Sequence, residues 1–149
     1  MSIVYGEAVP LPGEHIKIST DPSTERFWEM AKQEVLTACQ CGDCGHFRMP
    51  PTPFCPECQS KNVVWPELPG TARIFSFAIC THSPFPPHEP LVYVPAVVDL
   101  DGAPGARLVS NIVGVPAENV TIGMPVKVGW IDIQDDWKLP IFEPVENGS

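Results

Sequence analysis

The chain has 149 residues, 44% of them apolar, and its 18 acidic against 9 basic side chains give a formal charge of −9. That length holds one domain of ordinary size, or a smaller one with an appendage, and no apolar run approaches the roughly 20 residues of a membrane helix. So negative a balance argues against nucleic acid: from residue 67 onward ten acidic residues stand against four isolated basic ones, Arg73, Arg107, Lys127 and Lys138, where phosphate binding asks for clustered cations.

Residues 1–19, with Pro10, Pro12 and Gly13, show no period and are expected to form an extended arm. At Asp21-Pro22 the pattern changes, because Asp is a strong N-cap and Pro is favoured at the first helical position. Phe27, Ala31 and Val35 then recur four apart, which predicts a helix over 22–36. Trp28 widens its apolar face. Such a pair of aromatics serves core packing or docks a partner.

Next comes Cys41-Gly42-Asp43-Cys44 and, after ten intervening residues, Cys55-Pro56-Glu57-Cys58. Two Cys-x-x-Cys knuckles at this separation can wrap one tetrahedral ion. Four thiolates leave no coordination position open, so the expected role of Cys41, Cys44, Cys55 and Cys58 is to staple the fold with structural zinc; iron would suit the same donors. Gly42 and Gly45 fit tight turns with positive φ around the first pair. Two disulfides or a redox pair are the alternatives. No secretory, transit or lipidation signal is visible, which points to a cytoplasmic protein with reduced thiols. Cys39 reads as a spare thiol and Cys80 as a small buried hydrophobe.

Beyond Trp65-Pro66 and Pro69-Gly70 the apolar runs become β-like, over 71–81, 92–100, 107–113, 126–133 and 139–142. Most of the 19 prolines fall between these runs and stiffen the loops. Five strands match an OB-fold, with a hairpin at Asp99-Leu100-Asp101-Gly102 and residues 115–123 in place of the usual crossover helix; an open sandwich is the alternative. The expected fold is therefore mainly β: an N-terminal helical arm over 1–36, a zinc ribbon over 37–66 and a five-stranded OB-fold barrel over 67–149. Trp65 is placed to pack ribbon against barrel.

Candidates for chemistry are thin. His82 and His88 flank Ser83-Pro84-Phe85-Pro86-Pro87, and a set of His82, Ser83 and Glu89 can be drawn. A serine beside its supposed base in sequence seldom faces it, and no Gly-x-Ser-x-Gly elbow is present, so no catalytic residue is expected. That loop reads instead as a recognition element, with Phe85 at its tip and Tyr93 at its base, or as a loop packed on its own barrel. Asp135-Asp136-Trp137 reads as a solvated turn between the last two strands. Trp130 and Trp137 without a basic groove make a poor base-stacking platform.

The strings Phe27-Trp28-Glu29, Cys41-x-x-Cys44-Gly45 through Pro50-Pro51 to Cys55-Pro56-x-Cys58, Gly70-x-Ala72 through Phe75-Ser76-Phe77, Val97-Val98-Asp99-Leu100, Ile122-Gly123-Met124-Pro125-Val126 and Lys138-Leu139-Pro140-Ile141-Phe142-x-Pro144 together resemble the DUF35 family. That resemblance, over about 22–144, implies a short helical arm, a rubredoxin-like zinc ribbon and a C-terminal OB-fold. It implies a non-catalytic accessory subunit of a thiolase-fold enzyme, whether thiolase, aldolase or acyltransferase, acting on CoA thioesters. Acyl-CoA would be bound jointly with that partner, the small subunit helping to form or gate the entrance channel, in a dimer of heterodimers. Phe27, Trp28, Arg48, His82, Phe85 and Tyr93 are the candidates for contact with partner or substrate. One departure stands out: the family often carries a basic residue after the paired prolines, and here Pro50-Pro51 is followed by Thr52-Pro53-Phe54. The other readings are a zinc-ribbon and OB interaction scaffold and, further off, nucleic-acid binding; no membrane partner is expected.

Overall fold

The computed structural model describes residues 3–145. Its one α-helix among them, α1 (Glu25–Lys32), is shorter than the apolar spacing predicts. At its start Asp21 Oδ1 accepts from the amides of Ser23 and Thr24, at 2.8 and 2.9 Å, which holds 21–24 as a capped turn instead of a helical one. At its end Glu34 adopts φ +60°. The Glu34 amide bonds Ala31 O and the Val35 amide bonds Met30 O, the paired bonds of a Schellman stop. Phe27 and Ala31 are buried, and Phe27 meets Trp28 edge-on at 5.1 Å.

A small three-stranded sheet follows, with β1 (Cys39–Cys41) between β2 (Phe47–Arg48) and β3 (Val63–Val64). Strands of two and three residues cannot hold themselves together in water. Its ends are tied by the knuckles described below.

The predicted first barrel strand is broken into β4 (Thr71–Phe77) and a short β5 (Cys80–His82). β6 (Pro90–Leu100), β7 (Arg107–Ile112), β8 (Pro125–Asp132) and β9 (Lys138–Pro144) complete the set. The neighbour order β4–β8–β9–β7–β6, with β4 also paired to β6, closes a five-stranded barrel; β5 lies outside it on the far end of β6. This is the OB-fold, not an open sandwich. Closure runs through the one parallel pair, Ile112 with Phe142, reinforced by the Val113 amide on Phe142 O at 2.8 Å and Ser110 Oγ on Pro140 O at 2.7 Å. Strict alternation on β6 sends Val94, Ala96, Val98 and Leu100 inward, where they meet Ile74, Ile112, Val126 and the fully buried Phe142. Ala117–Asn119, a single 3-10 turn, stands where many OB-folds place a helix.

The N-terminal arm is tied down between Tyr5 and Ile16. The Ala8 amide bonds Val115 O and that of Val9 bonds Val92 O. The Tyr5 and Gly6 amides donate to Glu118 Oε1 at 2.7 and 3.1 Å, which holds the Glu118 carboxyl below its ordinary value. A Cβ on Gly13 would run into the carbonyl oxygen of Asp132, so glycine is what lets the arm press against the turn between β8 and β9.

Candidate functional site

The structure brings together the four cysteines singled out by spacing. Cys41 and Cys44 come from the knuckle after β1, Cys55 and Cys58 from the one before β3, and all four Sγ atoms lie within 4.8 Å of one another. Cys41 Sγ is 3.5 Å from Cys58 Sγ, and Cys44 Sγ is 3.6 Å from Cys55 Sγ. Sulfurs bound at about 2.3 Å to a central zinc sit about 3.8 Å apart along a tetrahedron's edges. The donor set fits.

Backbone amides orient the sulfurs. Those of Asp43 and Cys44 both point at Cys41 Sγ from 3.4 Å. With the amides of Cys44 and then Asp43 donating to it, Cys41 drops to about 6. Cys58 moves the other way, to about 12: the Ser60 amide draws it down, but the bond to the Cys41 sulfur and burial outweigh that pull. Four thiols so close cannot all ionise on their own, and a divalent cation at the centre is what makes four thiolates compatible.

Of the two glycines expected to turn with positive φ, only Gly45 does, at +82°. Gly42 serves close approach instead. A Cβ there would meet Asn62 Cβ at 3.3 Å, and the Gly42 amide bonds Asn62 O at 2.8 Å. Asp43 completes the clasp by accepting from Ser60 Oγ and from Asn62 Nδ2; the Ser60 hydroxyl first, then Asn62, holds its carboxyl below the ordinary value. Spacing alone gave no hint of Asp43, Ser60 and Asn62 as the ties between the knuckles.

The other candidate residues do not converge on one centre. Phe27 is in the core, 5% exposed, while Trp28 is half-buried beside it. Arg48 is buried opposite Cys39 in the β1–β2 pair; Nε donates to Thr52 O at 3.0 Å, whereas Nη1 and Nη2 are sealed in without a protein partner. Cys39 is buried too, and burial pushes its thiol up against the pull of the Arg48 charge. Cys80 is only half-buried. It pairs with Tyr93 across β5 and β6, and its bond to the Tyr93 hydroxyl, with burial, raises the tyrosine above its ordinary value. Tyr93 therefore does sit at the base of the proline-rich loop.

No triad forms there. His82 Nδ1 faces Thr81 Oγ1, Ser83 Oγ accepts from the Phe85 amide, and the Ser83 amide bonds Glu89 O. Phe85 is not a free tip: its ring stacks on His15 of the arm at 5.1 Å. Asp135 and Asp136 take positive φ in the exposed turn between β8 and β9, and Trp137 lies under Lys32 Nζ at 3.9 Å. Trp65 packs against the core, as its position after the ribbon predicts.

A cleft of about 350 Å³ with mixed walls, Ser23, Thr52 and Lys61 among them, lies beside Cys39 and Trp65; the clefts at Trp28 are apolar. Two clefts of about 270 and 330 Å³ flank Trp28, the first under Met49, Pro50 and Pro51, the second between Leu11, Ile18, Tyr93 and the start of β9. Among the described residues no helix is long and apolar enough to cross a membrane.

Residues 28–64 match the domain family described as the ChsH2 rubredoxin-like zinc ribbon domain, and residues 65–130 that described as the ChsH2 C-terminal OB-fold domain. A solved chain of the "Ltp2-ChsH2(DUF35) aldolase" superposes with a TM-score of 0.77 at 34% identity, covering 86% of this chain and 98% of that one. This chain belongs to the DUF35 family. Two curated relatives carry hydratase names. One is a probable enoyl-CoA hydratase alpha subunit of Thermomonospora curvata, 40% identical over 79% of this chain. The other is the 3-oxo-4,17-pregnadiene-20-carboxyl-CoA hydratase alpha subunit of Mycobacterium tuberculosis, 31% identical over 91%. This DUF35 chain spans only 36% and 42% of their lengths.

Proposed function

We propose that this DUF35 chain is a non-catalytic accessory subunit of an enzyme complex acting on CoA thioesters. In this reading a thiolase-fold partner holds the catalytic groups, acyl-CoA is bound jointly, and the small subunit helps shape the entrance for the acyl thioester. The complex is a dimer of heterodimers built on the partner's own two-fold axis, in the cytoplasm. One observation carries the reading: along 98% of its length the matched solved chain follows this one, and the name Ltp2-ChsH2(DUF35) aldolase joins a DUF35 chain to a second polypeptide as one enzyme.

The site geometry agrees. No side-chain bond joins His82, Ser83 and Glu89 into a catalytic set, and Trp28 and Tyr93 line apolar clefts. Cys41, Cys44, Cys55 and Cys58 hold a structural zinc. With four protein ligands the ion presents no open position for substrate, so its contribution is to the fold of the ribbon.

The hydratase names of the two relatives favour a second reading of the complex's chemistry, in which the partner adds water to an unsaturated acyl-CoA instead of making or breaking a carbon–carbon bond. Purification of the chain from its own cells, with metal analysis and activity assays on the same sample, tests both. The expected result is one zinc per chain, a second polypeptide in fixed ratio, and thioester turnover only when both are present. Turnover of an acyl-CoA by the isolated chain, or recovery of a partner-free monomer, would overturn the accessory role.

A further inference from the structure

We propose that the outer face of the β4, β6 and β7 strands, centred on Val109, is the seat of the catalytic subunit, which meets it with an apolar side chain flanked by a carboxylate. The inference rests on the accessory-subunit reading above. Alternation turns Ile74, Val98 and Ile112 into the barrel and leaves Val97 and Val109 outside, directly opposite one another. A bulge between Ile74 and Ser76 takes Phe75 out of the ladder and leaves it exposed on the same side. Val109 is 76% exposed and Phe75 45%. One exposed valine needs no cause; a row with hollows around it does.

Val109 is the ridge between three apolar hollows, about 270 Å³ toward Pro50 and Pro51, about 280 Å³ toward Pro95 and Val97, and about 330 Å³ toward Tyr93. Such concave apolar ground around a central ridge is suited to knobs from a partner. In OB-folds the face of the second and third strands, here β6 and β7, is the customary binding face. Here it carries no basic stripe.

Charge selects the occupant. Arg73 and Arg107 flank Asp99 in ladder register; Arg107 Nε bonds Asp99 at 2.8 Å while its guanidinium covers the Phe75 ring at 3.7 Å, and Arg73 reaches Gly123 O. Two guanidiniums about one carboxylate make a net-positive row on a chain whose total charge is −9. A partner segment with an acidic residue beside its apolar knob complements it. A second copy of this chain would oppose the row to itself, cation against cation.

The test is a photoreactive benzophenone side chain placed at Val109 in the full-length chain and produced in its own cells, with Val64 on the ribbon's edge strand as the comparison site. The expected result is a cross-link from position 109, and none from 64, to a co-purifying CoA-thioester enzyme polypeptide, in a peptide with Asp or Glu beside an apolar residue. Val109→Glu should weaken retention of that polypeptide at least about tenfold with zinc content and thermal midpoint unchanged. If the polypeptide co-purifies but cross-links only from 64, or Val109→Glu retains it fully, the face is wrong and the accessory role stands. A cross-link from 109 to this chain's own peptides overturns the face as a partner site. Absence of any CoA-thioester enzyme from the unsubstituted preparation removes the accessory role, and this inference with it.

Discussion

Replacing Cys55 and Cys58 together by serine should unfold the ribbon while sparing the barrel. The ribbon has strands of three, two and two residues, and Ala38, Cys39, Cys41 and Cys55 are its main fully buried apolar side chains. Small side chains of that kind supply about 1 kcal/mol each on burial, against an ordering cost of about 1 kcal/mol for every residue from 37 to 64. A structural zinc contributes about 10–16 kcal/mol, as much as the whole stability of a typical domain, about 5–15 kcal/mol. The barrel keeps its own core of Ile74, Val94, Val98, Ile112, Val126 and Phe142. Metal analysis should find no zinc in the double variant and about one per chain in Cys80→Ser, whose thiol lies outside the cluster. Hydrogen exchange read by mass spectrometry should show residues 37–64 exchanging near unfolded rates, with β6 and β8 still protected. A metal-free double variant whose ribbon amides stay protected would refute the argument that binding energy and folding energy are the same quantity here.

Three further outcomes follow from packing and charge. Phe142→Ala, at the parallel seam that closes the barrel, should cost about 3–5 kcal/mol and lower the thermal midpoint by roughly 10–20 °C in calorimetry. Glu118 is held below its ordinary value of 4.5 by the Tyr5 and Gly6 amides, so its hold on the arm is complete above that value and fades as pH falls through the lower folded one. The protection factors of amides 5 and 6, taken against the intrinsic exchange rate at each pH, should therefore fall on acidification below about pH 4.5, an effect absent in Glu118→Gln. Gly13→Ala should lift the arm from the Asp132 carbonyl and break the His15–Phe85 stack; limited proteolysis should cut within 3–20 several-fold faster while the barrel's midpoint holds.

The metal cluster was legible because thiolate coordination is a constraint of spacing and donor type, both written in the chain at 41, 44, 55 and 58. The barrel strands were legible where one face is buried, as on β6, whose period of two runs unbroken from Val94 to Leu100. The failures share a cause: contacts distant in sequence, or unusual backbone, leave no local period. Glu34 stops α1 with a left-handed residue where glycine is the usual signal, so the apolar spacing overran the true end. The bulge at Phe75 breaks the first strand's register just where alternation has turned an aromatic outside. Arg48 was a candidate for contact with partner or substrate, yet the opposed Cys39 and the Thr52 carbonyl enclose it.

A surface that performs chemistry keeps polar groups unsatisfied until substrate arrives; a surface that docks keeps apolar area in the same condition. In this chain several of the polar groups that could serve chemistry are bonded locally. Ser83 caps its own loop, His88 Nδ1 bonds Ser83 O, Asp43 clasps the second knuckle, and Glu118 holds the arm. The apolar side stays open, at Val109, Phe75 and the hollows beside Trp28. Those hollows have rigid walls: Pro50 and Pro51 on one side, Pro95 and Pro140 on the other, each with its φ fixed before any partner binds. Rigidity set in advance lowers the entropy lost on association, and the zinc clasp secures the ribbon that carries Pro50 and Pro51. On the accessory-subunit proposal, metal, prolines and strapped arm act to one end, which is to hold an apolar surface in shape for another polypeptide.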